Sequence, residues 1–268
     1  MASKLRVEDI NGCRTIGRRA LRTISFREED AKMDIWFALI NLEHKEEIRN
    51  QSGGNDDKGL EHDGVQAIVK EACAAAHPKR IRLRVAKMYE DCKDVVRAES
   101  AYAAAAKKHK SSKQVWSAYV RFRLLVKEDV EEASEALQKG LKCLAAHKHL
   151  FVISRYAQDE FEGGSVERGR TIFEELIASY GAKRVDLWNV YIDKEVKVGE
   201  LDAARNLFGR LTTLKLSTKV AKSCFKKWLA FEEKHGDKRT QQHVKAQAKA
   251  YIERERERDN ARLQQQGS

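Results

Sequence analysis

One pattern recurs along this chain and constrains its fold more than any other feature. In LWNVYIDKEVKVGELDAARNLF an aromatic, Trp188, is followed by Tyr191 at +3, Glu195 at +7, Gly199 at +11, Ala204 at +16 and Phe208 at +20. The segment ISRYAQDEFEGGSVERGRTIF matches without a gap through Ile153, Tyr156, Glu160, Gly164, Gly169 and Phe173. Upstream, Trp116 and Tyr119 open a third copy with Arg123 where the acid stands, and Ala133 and Leu137 follow after a one-residue insertion. Leu83, Ala86 and Glu90 lead to Ala98 and Tyr102 with the turn one residue short. Trp36, Leu39 and Glu43 open a copy whose Val65 and Val69 come thirteen residues late, and Phe225, Trp228, Glu232 and Gly236 start the last. The starts lie 47, 33, 37, 35 and 37 residues apart, and the late segment accounts for the long first interval.

Positions 0, +3 and +7 share one face of an α-helix, as do +13, +16 and +20. Each unit therefore reads as two antiparallel helices, an aromatic stripe facing a stripe with one small residue. Ala204, Gly169 and Ala133 are expected to let a bulky ring approach. Gly199, Gly164 and Gly236 are expected to supply the left-handed backbone that ends a helix and reverses the chain. A hairpin cannot cover its own apolar face, so neighbours stack. The expected fold is all-α, a right-handed superhelical solenoid of antiparallel helix hairpins. A single proline, Pro78, in 268 residues agrees with helix nearly throughout.

The expected organisation is a repeat array over 1–258. It opens with a half repeat at 10–27, in TIGRRALRTISF, which resembles a second helix lacking its first, as though the chain were a fragment of something longer. About six hairpins follow, with a Gly- and Asp-rich loop insertion at 49–64. The C-terminal helix should cap the array with Val244, Ala248, Tyr251 and Ile252, and residues 259–268 read as a disordered tail. The N-terminus shows no secretory signal and no segment approaches a membrane span, so a soluble, intracellular protein with no membrane partner is expected. The five cysteines, Cys13, Cys73, Cys92, Cys143 and Cys224, never form a CxxC pair and read as reduced, buried small hydrophobes.

Several residue types invite a chemical reading. The recurring Glu43, Glu90, Glu160, Glu195 and Glu232 are spaced one per unit, whereas acid–base chemistry needs partners converging in one cleft. They are expected to accept hydrogen bonds near the hairpin junctions. Trp36, Trp116, Trp188 and Trp228, with Tyr119, Tyr156, Tyr191 and Phe208, are expected to be core. Cys143, His147 and His149 in KCLAAHKH lack a second ligand pair, so no metal is expected. No phosphate loop, nucleophile elbow or HExxH occurs; no catalytic residue and no cofactor are expected.

Charge is more informative. The chain carries a formal +11, and between Lys79 and Arg123 there are 13 Lys or Arg against 4 Asp or Glu. From Arg205 to Lys249 the count is 12 against 3. Lys79, Arg80, Arg82, Arg84, Lys87, Lys107, Lys108, Lys110, Lys113, Arg121 and Arg123 are expected to form an exposed basic surface for RNA or another acidic partner.

The Trp, Tyr and Glu template with its small residue and second aromatic resembles the half-a-TPR (HAT) repeat. RRALRTISFREEDAKMDIWFALINLEH, DLWNVYIDKEVKVGELDAARNLF and FKKWLAFEEKHGD with VKAQAKAYIE are similar to the C-terminal repeat region of the ribosomal RNA processing protein five family, known in animals as programmed cell death protein eleven. The resemblance implies a non-catalytic nucleolar scaffold that serves pre-ribosomal RNA processing and small-subunit assembly among pre-ribosomal RNA and early pre-ribosome proteins. That family carries S1-type RNA-binding domains ahead of these repeats, and none is present here. Two departures stand out: the 49–64 loop is longer than the family's, and Arg123 replaces its acid. The alternative is a HAT-repeat interaction and dimerisation module of another RNA-processing complex, for messenger RNA 3′ end cleavage or splicing; nothing in the sequence indicates a homodimer.

Overall fold

The computed structural model describes residues 10–25, 27–52 and 64–266. Among them are thirteen α-helices, one short 3-10 turn and no strand. They are α1 (Ile10–Thr23), α2 (Glu29–Ser52), α3 (Gly64–Ala75), α4 (Pro78–Asp91), α5 (Val95–Lys108), α6 (Lys113–Leu125) and α7 (Val130–Cys143). After the 3-10 turn at Ala146–Lys148 come α8 (His149–Gly163), α9 (Val166–Tyr180), α10 (Val185–Val198), α11 (Leu201–Thr213), α12 (Thr218–His235) and α13 (Lys238–Gln266). The helices fall into two compact units, Met1–Val152 and Ile153–Ser268.

In the first unit each helix from α1 to α7 packs on the next in sequence. The pairs α2/α3, α4/α5 and α6/α7 are the hairpins that start at Trp36, Leu83 and Trp116. Their stripes face inward: Trp36, Leu39, Ala86, Trp116 and Tyr119 are buried, as are Val65, Val69, Ala98, Tyr102, Ala133 and Leu137. Caps set the short turns. Asp94 Oδ1 accepts from the Arg97 backbone N–H at 2.9 Å and Asp129 Oδ1 from that of Glu132 at 2.8 Å, each satisfying a helix-start donor that has no intrahelical partner. Helix α2 runs to Ser52, so the expected loop starts later than residue 49; positions 53–63 lie outside the described residues.

The second unit repeats the scheme in α9 to α13, joined by the part of α8 that follows Val152. Tyr191 stacks on Phe173 at 4.9 Å, and Phe208 on Trp228 at 5.7 Å. A Cβ at Gly169 would lie 2.6 Å from Cδ2 of Phe161, so only glycine admits that ring. Helix α13 closes the unit through Val244 and Tyr251, whose hydroxyl donates to the Leu216 carbonyl at 2.9 Å and accepts from its N–H at 3.0 Å. Ile252, expected on that face, is half exposed. It neighbours Tyr251 in sequence and therefore points about 100° away around the helix. The helix continues to Gln266, past the Asp259 at which the sequence reading began a disordered tail. A Glu255–Arg258 ion pair of 2.5 Å on adjacent turns favours helix approaching that point.

Two further expectations need correction. Of the glycines expected to reverse the chain in a left-handed conformation, only Gly199 has a positive φ, 89°. Gly164 and Gly236 are required for space: a Cβ would sit 2.1 Å from Oε2 of Glu160 and 2.2 Å from Oε2 of Glu232. The left-handed backbone appears instead at Lys93 (φ 60°) and Glu128 (φ 56°), the equivalent turn positions of the α4/α5 and α6/α7 hairpins. The cysteines also differ from expectation: Cys224 alone is buried, Cys73 is partly so, and Cys13, Cys92 and Cys143 are exposed. All five are free thiols.

Candidate functional site

The recurring acids come to lie in the interior, each with its own partner. Glu195 and Glu160 are wholly buried, and Glu232 and Glu43 nearly so. Arg170 grips Glu195 with two bonds of 2.9 Å. Arg14 holds Glu43 at 2.6 and 2.7 Å, and Arg205 reaches Glu232 at 3.1 and 3.3 Å. In all three the arginine sits on the second helix of one hairpin, or on α1, and the glutamate on the first helix of the next. Glu160 has Ser134 where that arginine would be, and is held by Arg168 of its own hairpin at 3.0 and 3.2 Å and by the Ser165 N–H at 2.9 Å. Glu90 accepts from the Tyr102 hydroxyl at 2.8 Å and from Lys87 at 2.5 Å. Burial would raise the Glu160 carboxyl, but hydrogen bonds from Arg168, Tyr156 and Ser165 outweigh it and hold the group below the usual range. No two of these five acids converge, and none is left as an acid–base pair.

Arg123 belongs to this interior set, not to the basic surface expected of it. Its guanidinium donates to Glu99 Oε1 at 2.6 Å and to the Glu132 carbonyl at 3.1 Å, and lies 4.5 Å over the Tyr119 ring. The Tyr119 hydroxyl donates to the same Glu99 oxygen at 2.6 Å. Burial raises and these contacts lower the Glu99 carboxyl, with a net shift downward. The pair occupies the repeat positions of Arg170–Glu195 with acid and base exchanged.

The other basic residues divide in two. Arg80 pairs with Asp30 and Arg84 with Asp34, each at 2.8 Å, and Arg84 also covers the Phe37 ring. Lys87 is bound to Glu90 and Asp91, and Arg121 lies 4.0 Å from Glu90. Around the α5–α6 turn the side chains are differently placed. Lys107, Lys108 and Lys110 are exposed and form no ion pair among the described residues. Lys79 donates to Gln114, and Lys113 sits 4.1 Å over Phe151. With His109 and Lys148 they line an open concavity of about 680 Å³. Arg82 is half buried and does not line it. Burial first, then the charges of Arg82 and Lys79, push the His109 imidazole below its ordinary range.

Lys148 and His109 were missed at the sequence level. The run KCLAAHKH, searched for metal ligands, contributes Lys148, whose ammonium donates to the Ser111 carbonyl at 2.7 Å. In the same run His149 Nε2 lies 2.9 Å from the Leu144 carbonyl. Among the described residues no group of three or more His, Cys, Asp or Glu is placed to hold a metal, and no helix is long and apolar enough to cross a membrane.

Fold and surface define a class: an array of helical hairpins, ion-paired inside, presenting a basic concavity at one of its turns. No protein-family model matches the chain. Curated relatives do. The rRNA biogenesis protein rrp5 of Schizosaccharomyces pombe is 38% identical over 252 residues, 94% of this chain and 14% of the relative. Protein RRP5 homolog of Mus musculus is 36% identical over 253 residues, and rRNA biogenesis protein RRP5 of Arabidopsis thaliana 36% over 251, again 94% of this chain but 13% and 12% of those proteins. The chain belongs to the RRP5 family and spans 12–14% of the length of these relatives.

Proposed function

We propose that this chain is a non-catalytic scaffold for pre-ribosomal RNA maturation, acting in small-subunit assembly in the nucleolus. It docks processing factors and pre-ribosomal RNA through the basic concavity at the α5–α6 turn. The observation that carries this reading is similarity, across 94% of this chain, to a segment of proteins named for rRNA biogenesis. The unpaired Lys107, Lys108 and Lys110 support the choice of surface, because lysines already neutralised by carboxylates would gain little from an incoming polyanion. The test replaces the matched segment of the Schizosaccharomyces pombe relative with this chain and follows precursor rRNA by gel hybridisation. Normal processing with the unaltered chain, and accumulated precursors when Lys107, Lys108 and Lys110 are all changed to Glu, is the expected outcome. Normal processing in the triple variant would move the docking surface elsewhere, and failure of the unaltered chain would count against the scaffold reading itself.

A further inference from the structure

Beside the basic concavity lies a narrower slot of about 220 Å³ between the second helices of two successive hairpins. Its walls are Ala103 and Ala106 of α5 and Ala136 of α7, and the largely buried Trp116 ring of α6 lies between them. Lys107, Lys110 and Lys139 stand at its rim. The slot exists because the facing helices carry alanine where larger side chains would meet over the tryptophan. It is smaller than the ~300 Å³ at the low end of small-molecule sites, and suits one large apolar side chain better than a cofactor.

The polar groups between the alanine walls are already committed, and Lys107 and Lys110 at the rim are not. Trp116 Nε1 donates to the Lys110 carbonyl at 2.8 Å, the Tyr119 hydroxyl donates to Glu99, and Arg123 is held by Glu99 and Glu132. A nucleobase inserted here would find donors only in the rim lysines and no acceptor for its amino groups, a loss that disfavours it against a hydrocarbon or phenyl group. The lysines alone would accept any polyanion; the slot selects. Lys107 and Lys110 line both the slot and the concavity, so an apolar anchor in the first places flanking acids against Lys107, Lys108 and Lys110 in the second.

We propose that the slot and the adjoining lysines together form a docking site for an acidic protein segment carrying one large apolar anchor residue. This rests on the docking-scaffold reading and gives that surface a protein occupant. A buried anchor ringed by complementary charge is the arrangement in which a single residue carries most of the affinity and the charges set partner choice.

The experiment uses the 268-residue chain and two fluorescein-labelled peptides of Asp and Glu, one with a central Phe and one with Ala in its place. A labelled oligouridylate of equal charge is the third probe. The Phe peptide should bind at least about tenfold more tightly than its Ala twin. Ala103→Phe, a change at an exposed position, should abolish that preference with the circular dichroism spectrum unchanged. Lys107→Glu with Lys110→Glu should weaken both peptides. The Phe peptide should also slow alkylation of Cys143, which lines slot and concavity, and leave the exposed Cys13 and Cys92 unaffected. Equal binding of the twins, or a preference that survives Ala103→Phe, overturns the proposal. So does an oligouridylate whose affinity alone falls in Ala103→Phe, since the slot would then hold a base. Any of these results leaves the precursor-rRNA complementation test standing or falling by itself.

Discussion

Arg123 and Glu99 occupy positions at which the other ion-paired repeat contacts carry a glutamate and an arginine. Arg14, Arg170 and Arg205 each reach forward to the acid of the next hairpin; here an acid reaches forward to an arginine. Breaking a largely buried pair leaves an uncompensated charge, whereas reversing both partners keeps the attraction. Arg123→Glu alone should therefore lower stability by about 3 kcal/mol or more. Glu99→Arg with Arg123→Glu should recover most of that loss, read as the midpoint of urea unfolding. The same carboxylates predict the acid limit. Glu99 and Glu160 are held below their ordinary 4.5, so they bind fewer protons folded than unfolded. Their contribution is complete above that value and disappears as pH falls through the folded ones. Urea midpoints should thus be level from pH 7 to about 5 and decline below, less steeply in Glu160→Gln.

The helices themselves were legible because core spacing is a local property: Trp188, Tyr191 and Glu195 lie on one face whatever follows them. The turns were not, because glycine answers two different demands. At Gly199 it supplies a positive φ with nothing within 4 Å, and at Gly164 it makes room for the Glu160 carboxylate. Substitution separates them. Gly199→Ala should cost about 1 kcal/mol of backbone strain with no change in acid sensitivity. Gly164→Ala should cost about 1–3 kcal/mol and also blunt the acid decline, because the added methyl displaces the carboxylate from Arg168 and Ser165. At Glu128, exposed and left-handed, Glu128→Gly should instead raise stability by about 0.5–1 kcal/mol. The arginine partners escaped sequence reading for a different reason. Arg170 and Glu195 are 25 residues apart and Arg205 and Glu232 are 27 apart, so no helical period connects them; only the stacking of one hairpin on the next brings them together.

Across the whole molecule, formal charge is a poor guide to the charge available to a partner. The Lys79–Arg123 stretch carries 13 bases against 4 acids, yet Arg80 and Arg84 are neutralised by Asp30 and Asp34, which lie outside that stretch. The Arg205–Lys249 stretch likewise commits Arg205 to Glu232 and Arg210 to Glu174. In the first stretch the unpaired charge is concentrated at Lys107, Lys108 and Lys110; the second leaves further exposed lysines, among them Lys215, Lys222, Lys226 and Lys249, without an ion pair among the described residues. Polyanion binding releases condensed counterions in proportion to the phosphates neutralised, and this makes the difference measurable. In a titration against a structured precursor-rRNA fragment, changing those three lysines to Ala should flatten the plot of log affinity against log salt by about 2–3 in slope. Arg80→Ala with Arg84→Ala removes two formal charges from the same region and should change the slope by much less than one per residue, since each arginine would have to abandon its aspartate before meeting a phosphate. Equal changes per residue in the two variants would mean that the surface pairs open on binding and that the nominal charge, not the unpaired charge, governs association.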